Sequence, residues 1–259
     1  MKILLMTDIE GVTNLDDYEM VRTNSGDGYI KACHELMEDV NTAIRGFYDA
    51  GVETVYVYDG HHKGTNFIKE MLDSRAIQLY WDNWHEYVSS GQIDAYAEVG
   101  LHAMAGAENA FLEHTQNSKE WFDYKINGVS CGEFIQGAAY VGKYDIPFIF
   151  VSGDEAACME AKRFIQGIET AVVKKAVGRN TAISLTKEVA RQRIYEGAKN
   201  SVKLIDKIKP YKVTLPAVVE VTFQRTDYCD EAAKKHERIG SRTVRKLVPD
   251  IVDYMSLLL

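Results

Sequence analysis

Short apolar runs alternate along this chain with longer stretches in which apolar side chains recur every three or four residues. Lys2 to Thr7 reads as a buried strand that breaks into the polar run Asp8-Ile9-Glu10-Gly11. Residues 12–27 read as loop, rich in Asn, Asp, Ser and Gly. From Gly28 to Ala50, Ile30, Cys33, Leu36, Met37, Val40, Ala43, Ile44 and Phe47 mark one helix face, and Gly51 stands where a helix-terminating glycine belongs. Val52 to Tyr58 is expected as a second buried strand, ending in Asp59-Gly60-His61-His62. A helix around Phe67 to Leu72, a short strand near Ile77 to Tyr80 and a strand from Ala95 to Leu101 follow, the last running into His102. Residues 103–120 are loop-like, and Asn127-Gly128 predicts a tight hairpin between Phe122–Ile126 and Val129–Ser130. Further helices are expected at Gly132–Tyr144, Glu155–Ile165, Lys187–Lys207 and near Val244–Leu257, with strands at Pro147–Val151, Thr170–Val173 and Val218–Phe223.

Strands alternating with helices predict an α/β fold, a mainly parallel sheet flanked by helices. A chain of 259 residues suits one large domain. Residues 1–210 are expected to form it, with residues 211–259 packed on it or forming a smaller C-terminal lobe. There are no repeats and no Pro- or Ser-rich linkers.

Charge narrows the partners. A net charge of -8 argues against non-specific binding to nucleic acid or to an anionic membrane, both of which reward clustered Lys and Arg. The longest apolar run, Ile146 to Val151, is too short to span a bilayer, and Met1 to Leu5 meets Asp8 too soon for a signal peptide. Cys33, Cys131, Cys158 and Cys229 are scattered without a CxxC pair, so a cytoplasmic address is expected.

Chemistry collects where the predicted strands end: Asp8 and Glu10, Asp59 and His61, His102, and Asp154. In open α/β sheets this carboxyl rim is where ligands bind. Residues two apart on extended chain point the same way, so Asp8 and Glu10 present two carboxylates to one point, which is costly unless a cation or proton neutralises them. Each acid alone also serves as a helix cap or turn residue, and each histidine alone as an ordinary loop residue. Imidazole and carboxylate together suit zinc. Neither HExxH, a Walker A loop nor GxGxxG is present.

With those residues in place, the chain resembles the DppA-type D-aminopeptidases, peptidase family M55. The resemblance rests on Thr7-Asp8-Ile9-Glu10-Gly11-Val12, Tyr58-Asp59-Gly60-His61-His62-Lys63, Gly100-Leu101-His102-Ala103-Met104-Ala105, Gly128-Val129-Ser130-Cys131-Gly132-Glu133 and the stretch from Tyr144 to Asp154. It implies two Zn2+ per subunit, Asp8 bridging them and Glu10, His61, His102 and Glu133 completing the ligand set. Unaided, Glu133 reads as an acid favouring a helix N-terminus. The resemblance also implies a catalytic role for His114, as nucleophile or as general acid or base, and a homo-oligomer, a decamer by the family pattern. His62 departs from that pattern, which has a small residue there; His61 is taken as the ligand.

The expected activity is hydrolysis of short peptides with a free N-terminal, D-configured residue, such as D-Ala dipeptides. Two cations would activate a water and polarise the scissile carbonyl. Asp59 and Asp154 are candidates for orienting ligand imidazoles, Asp154 equally for capping a helix. Arg179 is either a clamp for a substrate carboxylate or a surface arginine. The alternatives are other cell-wall-derived or L-peptides, a dinuclear phosphoesterase, or a non-enzymatic binding protein. Residue types alone do not encode stereochemistry.

Overall fold

A computed structural model describes residues 1–22 and 26–259, so residues 23–25 of the expected loop lie outside the described residues. In chain order the elements are β1 (Lys2–Thr7), α1 (Asp27–Asp49), β2 (Thr54–Asp59), β3 (Ile77–Gln78), α2 (Trp84–Ser89), β4 (Ala95–Leu101), β5 (Trp121–Ile126), β6 (Val129–Ser130) and α3 (Glu133–Lys143). They continue with β7 (Phe148–Asp154), α4 (Glu155–Phe164), β8 (Glu169–Gly178), β9 (Thr181–Ser184), α5 (Lys187–Ser201), β10 (Ala217–Phe223), α6 (Thr226–Ala232), β11 (Glu237–Arg238) and β12 (Thr243–Val248).

The larger sheet has the order β3-β2-β1-β4-β7-β8-β9 and is parallel up to β8, with β9 antiparallel at the edge. Every residue of β4 and β7 is buried, as expected of strands covered on both faces. On β4, Tyr96 and Glu98 lie against Gly137 of α3. Phe150 on β7 meets Phe47 of α1 edge-on and leaves no room for a side chain at Gly197 of α5. The predicted α/β architecture is therefore present. A second, wholly antiparallel sheet has the order β11-β12-β10-β5-β6. Residues after 210 supply three of its strands, and the 121–130 hairpin supplies the other two. The hairpin turns through Asn127 and Gly128, both with positive φ.

Several elements differ from expectation. The region expected as a helix from Val244 to Leu257 is strand β12 followed by a 3-10 turn at Tyr254–Leu257. Val244, Leu247, Val248 and Ile251 stand three or four apart, but pairing against β10 wins: Val244 and Val248 turn inward, while Leu247 is 64% exposed. Ile30, expected on the buried face of α1, is 56% exposed. It belongs to the first turn of the helix; Cys33, Leu36, Met37, Val40, Ala43, Ile44 and Phe47 are all buried. The helix expected around Phe67 is only a 3-10 turn at Lys69–Met71, and α5 stops at Ser201 before a 3-10 turn at Val202–Leu204. Helices α2 and α6 and strands β9 and β11 are short elements that the apolar pattern does not reveal.

Candidate metal centre

The strand order reverses between β1 and β4: from β1 the chain builds outward through β2 and β3, then returns to β1's other side. At such a switch point the connections diverge and leave a crevice beyond the carboxyl ends of the strands. Asp8 and Glu10 follow β1, His102 follows β4, and His61 follows neighbouring β2. Two glycines let the loops close in. A Cβ on Gly100, which has φ +84, would sit 2.0 Å from the Asp8 carbonyl oxygen, and one on Gly11 would sit 2.1 Å from the Leu101 carbonyl oxygen. Only glycine allows this approach.

Side chains from distant parts of the sequence meet there. Asp8 Oδ1 lies 2.8 Å from His61 Nδ1, and Asp8 Oδ2 lies 3.2 Å from His102 Nε2. Glu10 Oε2 is 3.1 Å from the same His61 nitrogen but outside hydrogen-bond geometry. Glu133, at the first position of α3, brings Oε1 to 3.4 Å from His102 Nε2 and 3.7 Å from His114 Nε2. The rings of His102 and His114 stack, with centroids 3.8 Å apart and planes 11° apart. Two groups of potential cation donors result, Asp8-Glu10-His61 and His102-His114-Glu133, with one oxygen of Asp8 turned toward each.

Backbone contacts aim the rings. His102 Nδ1 lies 3.0 Å from the Ala103 carbonyl and His114 Nδ1 lies 2.8 Å from the Leu112 carbonyl. Donation from Nδ1 in each case leaves the Nε2 lone pair free to meet a cation. Of the adjacent pair, His61 faces the acids and His62 is exposed. The chain here is a 3-10 turn rather than extended, and His62 adopts φ 47, a left-handed conformation that costs a side-chain-bearing residue about 1 kcal/mol. Asn66 holds the turn by donating from Nδ2 to the His61 carbonyl at 2.8 Å and to the Asp59 carboxylate at 3.0 and 3.1 Å.

Electrostatics follow from packing acids and imidazoles together out of water. Burial alone would raise the Asp8 pKa, but hydrogen bonds from His102 and His61 hold it well below the usual carboxylate range. Burial would likewise lower His61 and His102, yet the facing carboxylates (Glu10 and Asp8 for His61, Asp8 and Glu133 for His102) hold both well above the ordinary imidazole value. Glu133 is lowered in spite of burial, chiefly by His102. Glu98, fully buried beside Gly137, is the opposite case: burial pushes its pKa well up, and it accepts the Tyr96 hydroxyl at 2.9 Å.

The remaining residues singled out from the sequence have other contacts. Asp59 accepts the backbone N–H groups of His61 and Asn66 and touches no ligand imidazole. Asp154 caps α4 by accepting from Ala157 N at 2.8 Å, and its other oxygen accepts from Phe111 N at 2.8 Å. Arg179 makes an ion pair with Glu113 at 2.7 Å, and its carbonyl accepts Leu112 N, so it props the loop that carries His114. Four supporting residues escape sequence reasoning. Gln116 donates from its backbone N to Glu133 Oε1 at 2.7 Å and from Nε2 to Oε2 at 3.2 Å, and Tyr254, from the C-terminal segment, accepts from the same Nε2. Fully buried Lys174 donates to the carbonyls of Glu10 (2.8 Å) and Leu15, and burial pushes its pKa down to about 8. Glu160 completes the set. Of the four, only Lys174, the first of two lysines that follow the apolar run Ala171-Val172-Val173, carries any signal in the sequence.

The donor set fits zinc: imidazole nitrogens and carboxylate oxygens converge, and Glu10 Oε2 is a buried oxygen without a hydrogen bond. The chain is 25% identical over 265 residues to the D-aminopeptidase of Bacillus subtilis (strain 168), covering 100% of this chain and 96% of that protein. The fold matches, with a TM-score of 0.91 and 24% identity, a solved structure described as the Zn-dependent D-aminopeptidase DppA from Bacillus subtilis, a self-compartmentalizing protease; 100% of this chain and 96% of that one are covered. The model of the M55 peptidases, described as D-aminopeptidase, matches residues 1–259, and the chain therefore belongs to peptidase family M55, the D-aminopeptidases.

Proposed function

We propose that the chain is a dinuclear zinc aminopeptidase, releasing an N-terminal D-residue such as D-Ala from short peptides. The observation that carries this reading is the position of Asp8, whose two oxygens face two separate donor groups. One carboxylate so placed is suited to bridge a pair of cations. In this assignment Asp8, Glu10 and His61 would hold one ion, and Asp8, His102 and Glu133 would hold the other. Zinc bound there would supply Lewis acidity toward the scissile carbonyl and lower the pKa of a bound water toward neutrality.

The protein's own groups supply the rest. His114, fixed through Nδ1 by the Leu112 carbonyl, keeps Nε2 at the rim of the cluster, where it can hold the proton that the departing nitrogen needs. Glu113 and Arg179 brace that loop from outside. Of the acids in the cluster Glu133 has the most exposed side chain, and its carboxylate is the one open to a substrate ammonium group. Such recognition would favour a free amino end. A homo-oligomer is proposed as well, in keeping with the self-compartmentalizing description of the Bacillus subtilis structure. For location, no helix among the described residues is long and apolar enough to cross a membrane, and we propose a cytoplasmic protein.

Zinc titration of chelator-stripped protein, followed by assay of D-Ala-D-Ala, L-Ala-L-Ala and a phosphate monoester, tests the proposal. It predicts two zinc per chain and turnover of the D-peptide. Preference for the L-peptide would overturn the stereochemical part, and turnover of only the phosphate ester would overturn the peptidase assignment.

A further inference from the structure

Two of the proposed ligands, His102 and Glu133, lie 31 positions apart in sequence, one just beyond β4 and the other at the start of α3. Their proximity depends on the backbone beside each. Glu160, on α4 and only 8% exposed, spans that gap. Its Oε2 accepts the N–H of Met104 at 2.7 Å, and its Oε1 accepts the N–H of Gly132 at 3.0 Å. Met104 is two residues beyond His102, and Gly132 immediately precedes Glu133. Each oxygen of one buried carboxylate thus holds a ligand-bearing loop.

The packing at this junction is tight. A Cβ on Gly132 would meet Glu160 Oε1 and Met104 Cβ at 3.0 Å and Met104 Cα at 3.1 Å. Any side chain at that position must push Met104 or the carboxylate aside. The other half of the centre is held by different means: Lys174 fixes the Glu10 carbonyl, and Asn66 fixes the His61 carbonyl. The Glu10 and His61 half therefore has anchors that Glu160 does not touch, although its Asp8–Gly11 loop also packs against Gly100 and Leu101.

We propose that Glu160 is a positioning residue, one that clamps the His102 and Glu133 loops together and sets the affinity of that half of the centre for its cation. The inference rests on the dinuclear reading above. Groups that orient metal ligands without touching the metal typically contribute about 10–100-fold in affinity when removed. Glu160→Gln keeps the volume but exchanges one acceptor for an NH2 group, which faces a backbone N–H and cannot accept from it.

The test is a zinc titration, in competition with a chromophoric chelator, of metal-free wild type, Glu160→Gln and Gly132→Ala. The second variant retains the carboxylate and parts the loops sterically, so it probes the clamp even if the first fails to fold. Expected in both variants is one zinc bound as in wild type and the other weakened about tenfold or more. A uniform weakening of both zinc ions, or a cooperative loss of fold in both variants, would mark Glu160 as merely structural and overturn the proposal. Two wild-type affinities in both variants would overturn it while leaving the dinuclear reading intact. A wild-type protein that binds a single zinc overturns both.

Discussion

Replacing Gly100 by alanine adds one methyl group at the tightest point beneath the proposed centre. Its consequences can be worked out from the geometry. Gly100 has φ +84, where an L side chain costs about 1 kcal/mol. The new Cβ would sit 2.0 Å from the Asp8 carbonyl oxygen, whereas ordinary contact begins near 3.4 Å, so the loops carrying Asp8 and His102 must part by more than about 1 Å. Overpacking of this kind costs about 1–3 kcal/mol more. A misplacement of about 1 Å near reacting groups lowers rates by about 10²-fold. Gly100→Ala is therefore expected to lose about 2–4 kcal/mol of stability in urea unfolding. The fraction that remains folded should hydrolyse D-Ala-D-Ala about 10²-fold more slowly and bind less zinc. A variant that keeps wild-type turnover and both metal ions would refute the claim that close apposition of the β1 and β4 loops builds the site.

Other consequences follow from the same contacts. His61 and His102 have folded-state pKa values above the ordinary 6.5, so in metal-free protein their stabilising pairs are fully present below that value and are lost as pH rises through the raised values. Zinc must displace the same protons, so its affinity climbs over the range in which the metal-free protein weakens. Melting and zinc titrations across pH should show these opposite trends, and parallel trends would contradict the pairing. Asp8 and Glu133, held below 3.8 and 4.5, contribute above those values and cease to as pH falls through their lowered ones, which acid unfolding of the stripped protein would register. His114→Ala should retain both zinc ions by metal analysis and lose about 10²-fold or more in kcat; loss of a zinc instead would make His114 a ligand. Asp154→Ala removes the cap of α4 and the acceptor for Phe111 N, and should cost about 2 kcal/mol in unfolding while leaving zinc stoichiometry unchanged.

Much of this architecture is legible in the sequence because long elements announce themselves. The buried runs of β1, β4 and β7 and the three-and-four spacing of α1 follow from burial on one or both faces, and the polar groups that end those strands mark the rim. Less visible is whatever depends on contacts distant in sequence. Strand β12 contains apolar spacing compatible with a helix, and only its partner β10 decides the matter. Glu133 and Glu160 look like ordinary helical acids; what distinguishes them is that α3 starts beside His102 and that α4 passes behind the loops of Met104 and Gly132. His62, a departure from the pattern that the resemblance implies, occupies a left-handed turn, a conformation that glycine adopts most readily.

The account depends on one carboxylate serving two cations. A crystal structure of the zinc-loaded protein, with anomalous data collected on both sides of the zinc absorption edge, measures this directly. Two peaks about 3.5–4 Å apart, one on each side of Asp8, are predicted, with His61 and Glu10 beside one and His102 and Glu133 beside the other. A single peak, or two peaks that do not share Asp8, would contradict it.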